Sequence, residues 1–183
     1  VVQSWRGIGA PSSPAWHPTN DQALCWKSTT DEASTIWMFD FAGGTITSIL
    51  SEVNDMGGWQ WAPDGGSIIY SVTKTVEADE RRINRVLHPA DRQPWWRHRS
   101  HLMQAFIPGG FTRQLTTGPV SPQGWEISPD GSTLAFFMGE PDITQRPFSK
   151  SSLWLMDLKT LDASELLNDP WVGGATFSPD SKT

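Results

Sequence analysis

The sequence predicts an all-β fold assembled from a repeated four-stranded sheet, and three observations carry that prediction. A Pro-Asp-Gly type turn recurs along the chain. The residues flanking it alternate apolar and polar with the period of two that buries one face of a β-strand. Each such hairpin is followed by a second pair of short strands, so the repeating unit is four strands long.

The stretch "GWEISPDGSTLAFF", Gly124 to Phe137, shows the first half of the unit. Proline presets φ for the second position of a tight turn, the Asp side chain bonds backbone two residues on, and Gly accepts positive φ. Ser128-Pro129-Asp130-Gly131 is therefore a strand reversal, with Trp125 and Ile127 on one side and Leu134 and Phe136 on the other. Echoes occur in "AWHPTNDQALCW" from Ala15, "WQWAPDGGSIIY" from Trp59 and "TFSPDSKT" from Thr176. Their turns carry Pro18, then Pro63-Asp64-Gly65, then Pro179-Asp180. Alignment on the prolines places Trp16, Trp61, Ile127 and Phe177 at one offset before the turn. After it, Ala23, Ile68 and Leu134 match, as do Cys25, Tyr70 and Phe136, and the aligned residues are expected on one face.

The second half of the unit is read in "TIWMFDFAGGTITSIL", "HLMQAFIPGGFTRQLT" and "SLWLMDLKTLDASELL". Gly43-Gly44 and Gly109-Gly110 superimpose, and Lys159-Thr160-Leu161-Asp162 replaces them in the third copy. The prolines at 18, 63, 129 and 179 are spaced by 45, 66 and 50 residues. Four short strands in about 40 to 50 residues is the period of a β-propeller blade. The longer spacing requires an insertion of about twenty residues, which falls between Val72 and Ser100 and joins the second and third strands of its blade. The expected organisation is a single partial β-propeller. Its blades are near 10–50, 57–117 and 122–168, a next blade starts at 172–183, and the insertion is a hairpin at about 73–100 that reverses near Pro89-Ala90-Asp91.

"WAPDGGSIIY", "ISPDGSTLAFF" and "FSPDS", each with its "LWLMDL"-like strand, resemble the WD-like propeller repeat of the TolB type. The same repeat builds the N-terminal propeller of the prolyl oligopeptidase family of serine peptidases, including its dipeptidyl peptidase IV and acylaminoacyl peptidase branches. The segment from Arg81 to Gly118, an arginine-rich stretch followed by an apolar strand, Gly-Gly and Gln114-Leu115-Thr116, is similar to that of acylaminoacyl-type members. The resemblance implies the substrate-gating, non-catalytic portion of a peptidase acting on peptides. Its partner would be a C-terminal α/β-hydrolase domain of the same parent chain, and the 183 residues would be a fragment of it. The alternative is a TolB-like propeller serving as a protein-binding platform with no enzyme attached. The reading implies a cytoplasmic setting, with the bacterial periplasm as the alternative, and leaves room for an oligomer.

Charge singles out one region. The chain carries −6 overall, which argues against nucleic acid as a partner. Lys74 to His101 nevertheless holds seven basic residues against four acidic ones, a local +3 that leaves −9 elsewhere. Arg81, Arg82, Arg85, Trp95, Trp96, Arg97 and Arg99 are the candidate lip toward a partner or substrate. The same arginines would equally serve as a solvated edge that blunts strand pairing. The eleven tryptophans are expected mainly between blades, where aromatics supply large buried areas. Trp95, Trp96 and Trp171 keep a carbohydrate-stacking role open.

No catalytic residue, cofactor site or metal site is assigned. Gly65-Gly66-Ser67-Ile68-Ile69 lacks the last glycine of a nucleophile elbow and lies in a hairpin turn. No motif ties His17, His88, His98 or His101 to a serine. His98 and His101 are three apart, which on a strand sends them to opposite faces, and both are expected on a solvated or edge strand. Cys25 stands alone and is expected as a buried core thiol. No apolar run is long enough to span a bilayer as a helix, so no membrane is expected as a partner.

Overall fold

The computed structural model describes residues 9–30, 33–75, 98–118, 121–139, 151–169 and 174–181. All regular structure among them is β-strand. The first sheet takes β1 (Pro11–His17), β2 (Asn20–Thr29), β3 (Ser34–Asp40) and β4 (Thr45–Val53) in that order. The second takes β5 (Met56–Trp61), β6 (Ser67–Thr75), β7 (His98–Phe106) and β8 (Thr112–Gln114). The third takes β9 (Ser121–Ile127), β10 (Thr133–Gly139), β11 (Ser151–Asp157) and β12 (Ala163–Asn168), again with neighbours in sequence paired side by side. Each sheet is a meander of consecutive strands, with longer connections between β6 and β7 and between β10 and β11. The chain divides into two compact units, residues 1–72 with 103–113 and residues 73–102 with 114–183.

The turns form for the reasons the sequence predicts. In the third sheet Asp130 accepts hydrogen bonds from the Ser128 hydroxyl at 2.6 Å, the Ser132 hydroxyl at 2.8 Å and the Ser132 amide at 3.0 Å. Gly131 N–H donates to Ser128 C=O at 2.8 Å and closes the turn. The second sheet repeats this with Gly65 N–H on Ala62 C=O and Gly66 N–H on the Asp64 carboxylate. Gly65 and Gly131 adopt φ of 71° and 75°, where a Cβ clashes with its own backbone. At Gly65 a Cβ would also strike the His17 ring. In the third sheet Leu161, at φ 66°, takes the left-handed place that Gly44 and Gly110 hold in the first two, which is why that turn dispenses with glycine.

One alignment expected from the sequence is displaced. Ile68 pairs with Trp61 and Leu134 with Ile127, each seven residues apart, but Trp16 pairs with Leu24, eight residues on, and not with Ala23, because a β-bulge shifts the register between Trp16 and His17. A single extra residue exchanges the two faces of a strand. Leu24 and Trp26 therefore correspond to Ile68 and Tyr70, while Ala23 and Cys25 belong to the opposite face. That face is buried: Ala23, Cys25 and Ile36 have no exposed surface. Trp16, expected in the core with its aligned partners, is 58% exposed, its ring tilted against that of Phe41 with 5.8 Å between centroids.

Within the first unit Cys25, Ile36 and Leu50 of the first sheet form one core with Met56, Trp61, Ile68, Tyr70 and Ala105 of the second. Two further contacts join these sheets. His17 packs on Trp61 at 4.6 Å, and Lys27 reaches across so that its ammonium donates to Gly57 C=O at 2.7 Å and to Met56 C=O at 3.4 Å. In the second unit the third sheet buries Ile127, Leu134, Phe136 and Met156 on one face.

Candidate functional site

Of the candidate lip, Arg99 alone lies among the described residues; Arg81, Arg82, Arg85, Trp95, Trp96 and Arg97 lie outside them, as does the expected reversal at Pro89-Ala90-Asp91. What the structure does describe is the root from which that stretch departs. β6 ends at Thr75 and β7 begins at His98, so the charged segment joins the second and third strands of its sheet. At the root Thr73 Oγ1 and Ser100 Oγ stand 3.2 Å apart and share a hydrogen bond. Ser100 N–H donates to Ser121 Oγ at 3.3 Å, which ties the root of the insertion to the start of β9.

His101, expected on a solvated or edge strand, is buried on β7, an interior strand of the second sheet. Burial depresses its pKa, the Lys74 ammonium adds to the depression, and a hydrogen bond with the Thr116 backbone opposes both. Its Nδ1 has no partner among the described residues. A neutral imidazole suits this setting because a charge here would sit desolvated beside another cation. Thr116 Oγ1 meanwhile accepts from Leu102 N–H at 2.9 Å, so the "Q-L-T" end of the repeat acts as a latch on the strand that carries the insertion.

The carboxylates that sequence reading passed over are also structural. Asp157 accepts from Lys159 N–H at 2.7 Å and Thr160 N–H at 2.8 Å, and Asp40 accepts from Ala42 N–H at 3.0 Å and Gly43 N–H at 3.3 Å. Both sit at the end of the third strand of a sheet, and the shared "FD" and "MD" at those positions was the signal available for them. The bonds from Thr160 and Lys159 hold the Asp157 carboxyl below its ordinary range, and those from Ser128 and Ser132 do the same for Asp130. Among the described residues no group of three or more His, Cys, Asp or Glu side chains is placed to hold a metal ion. Cys25 is buried, and burial pushes its thiol up to about 11, with Trp61 pulling modestly the other way.

Three antiparallel four-stranded meanders repeat one unit, and the first packs face to face on strands of the second. A TolB structure from Agrobacterium tumefaciens matches with a TM-score of 0.59 at 16% identity, over 87% of this chain and 50% of that one. The fold is that of β-propeller blades. The uncomplexed acylaminoacyl peptidase of Pyrococcus horikoshii matches with 0.59 at 14% identity, over 86% of this chain and 25% of that one. The β-propeller domain of the Trilobed protease from Pyrococcus furiosus matches with 0.51 at 12% identity, over 87% and 42%. The chain thus spans half or less of the length of these proteins. No protein-family model and no curated protein sequence matches it.

Proposed function

We propose that these blades are the substrate-gating, non-catalytic part of a prolyl oligopeptidase-like serine peptidase, whose α/β-hydrolase domain belongs to the same polypeptide. The observation that carries this reading is the basic insertion between β6 and β7. It holds an excess of three positive charges in a chain that is otherwise acidic, and it leaves the sheet opposite the Pro-Asp-Gly turns. Loops joining second to third strands emerge at the end of a blade opposite those joining first to second, so the insertion departs from the rim away from the Pro-Asp-Gly turns. A basic rim suits contact with an acidic surface of a neighbouring domain or with carboxylates of a peptide. The likeness of fold to an acylaminoacyl peptidase supports the same reading. A second reading, a propeller that binds proteins and has no hydrolase attached, is supported by the equally good match to TolB.

Peptide hydrolysis of this kind needs a serine activated by a histidine and an oxyanion hole. The division of labour would leave that chemistry to the hydrolase domain and access to the blades. The test is to treat the full-length polypeptide with a serine-directed phosphonate and to assay short peptides. Labelling and cleavage are expected, and deletion of Arg81 to Arg99 should change the size of peptide accepted more than the turnover of a minimal substrate. A full-length polypeptide that is not labelled would move the assignment to the binding platform.

A further inference from the structure

The chain contains two Asp-Gly pairs, Asp64-Gly65 and Asp130-Gly131, each in the turn between the first and second strands of its sheet. In such a pair the backbone nitrogen of the second residue reaches the side-chain carboxyl of the first with least obstruction, because glycine has no Cβ. Both aspartates are exposed, and in both turns the glycine N–H bonds a carbonyl three residues back, Ala62 C=O at 2.9 Å and Ser128 C=O at 2.8 Å. The nucleophile and its access are thus alike in the two turns. The carboxyl groups are not.

Asp130 Oδ1 accepts from the Ser128 hydroxyl at 2.6 Å, the Ser132 hydroxyl at 2.8 Å and Ser132 N–H at 3.0 Å. Two more side-chain bonds brace that turn: Thr133 N–H donates to Ser128 Oγ at 2.9 Å, and Asp130 N–H to Ser181 Oγ at 3.0 Å. Among the described residues Asp64 accepts only from Gly66 N–H, at 2.8 Å. The sequence holds the reason. Where the third sheet has Ser128 and Ser132, the second has Ala62 and Gly66, which carry no hydroxyl. Gly66 also loosens the backbone beyond the turn, since glycine restricts φ and ψ least. Donors aimed at a carboxylate favour its charged form, and those around Asp130 hold its carboxyl below the ordinary range. Attack on Cγ needs the opposite: an uncharged carboxyl free to turn toward the following nitrogen, in a turn that opens locally.

We propose that Asp64-Gly65 is a site of spontaneous isomerisation, and that the serines around its carboxyl protect Asp130-Gly131 from the same reaction. The Gly65 nitrogen attacks Asp64 Cγ, a C–N bond forms, the amide proton and the carboxyl hydroxyl leave as water, and a succinimide ring closes. Water then adds to either ring carbonyl. Addition at Cγ restores aspartate. Addition at the main-chain carbonyl breaks its bond to the Gly65 nitrogen and leaves the chain running through Cβ and Cγ as isoaspartate. The product has the same mass and charge but an additional backbone atom. Gly65 lies against the His17 ring, which packs on Trp61 at 4.6 Å, so that atom falls where the first sheet is joined to the second. The inference holds with or without a hydrolase domain.

The test ages the full-length polypeptide in mildly acidic buffer and measures isoaspartate at each turn by peptide mapping with fragmentation that separates the two isomers. Isoaspartate at 64 should form at least about 10-fold faster than at 130. In denaturant the two rates should come within about 3-fold of each other, because the folded turns are gone. Equal native rates, or a faster rate at 130, overturn the proposal. A ratio that persists in denaturant also overturns it, because neighbouring sequence and not the turn then sets the rate. Ala62→Ser with Gly66→Ser, which copies the third sheet's turn, should slow formation at 64 by about 10-fold. Ser128→Ala with Ser132→Gly should speed it at 130 by a similar factor. Failure of both exchanges to change the rates would refute the role given to the hydroxyls. The aged protein should also exchange amide hydrogens faster across β5 than fresh protein, and unchanged exchange would refute the consequence for the joint between the sheets.

Discussion

Replacing Lys27 tests how the first sheet is held to the second. Its ammonium makes one short bond to Gly57 C=O, 2.7 Å, and one at the outer limit to Met56 C=O, 3.4 Å. A hydrogen bond from a charged donor contributes about 1.5 to 3 kcal/mol. Ordering a lysine side chain costs up to about 2 kcal/mol. With one strong bond and one weak bond, Lys27→Met, which keeps the stem, should destabilise by about 1 kcal/mol. Lys27→Ala also removes half-buried methylenes worth about 0.8 kcal/mol each when fully covered, so its total should be about 2 kcal/mol. For a domain of this size each kcal/mol lowers Tm by about 2 to 4 °C. The assay is urea unfolding followed by hydrogen exchange of peptides spanning β2 and β5. Because the acceptors are backbone carbonyls and not a carboxylate, both losses should be the same in low and high salt. A methionine variant as stable as the parent would refute the link. A loss confined to low salt would show that an ion pair, not these bonds, carries the effect.

Other expected outcomes follow from the titrating groups. Asp130→Ala should destabilise the third-sheet turn at neutral pH and Asp130→Asn less, since the amide keeps one acceptor. The folded pKa of Asp130 lies below its ordinary 3.8, so its contribution is whole above that value. It is lost as pH falls through the folded pKa, and unfolding curves of parent and alanine variant should converge in strong acid. His101 has the opposite charge type. Its folded pKa lies below 6.5, so stability should fall as pH drops below the unfolded value, and His101→Leu should flatten that dependence. Cys25, with its thiol pushed up to about 11, should resist iodoacetamide at pH 8 until denaturant is added; prompt alkylation of the native protein would contradict its burial.

The repeat, the strands and the turn chemistry were legible in the sequence because each depends on residues close together in the chain. Pro63-Asp64-Gly65 and Pro129-Asp130-Gly131 form their turns with bonds that span two to five residues, and alternation of apolar residues marks the strands they join. The place of the insertion, between the second and third strands of the second sheet, followed from the same spacing. The register of β1 did not, because one extra residue between Trp16 and Leu24 changes which face is buried without disturbing the pattern of apolar residues. The burial of His101 was equally hidden, since a histidine's surroundings are set by the strands placed on either side of it. Lys27 reads as an ordinary polar strand residue, and its acceptors lie 29 and 30 positions away in sequence. Glu126 finds its partner fifty residues on, in a segment that reaches the third sheet only when the chain has folded. Local backbone preference decided the elements; which faces meet, and which polar atoms are then enclosed, was decided by packing between sheets.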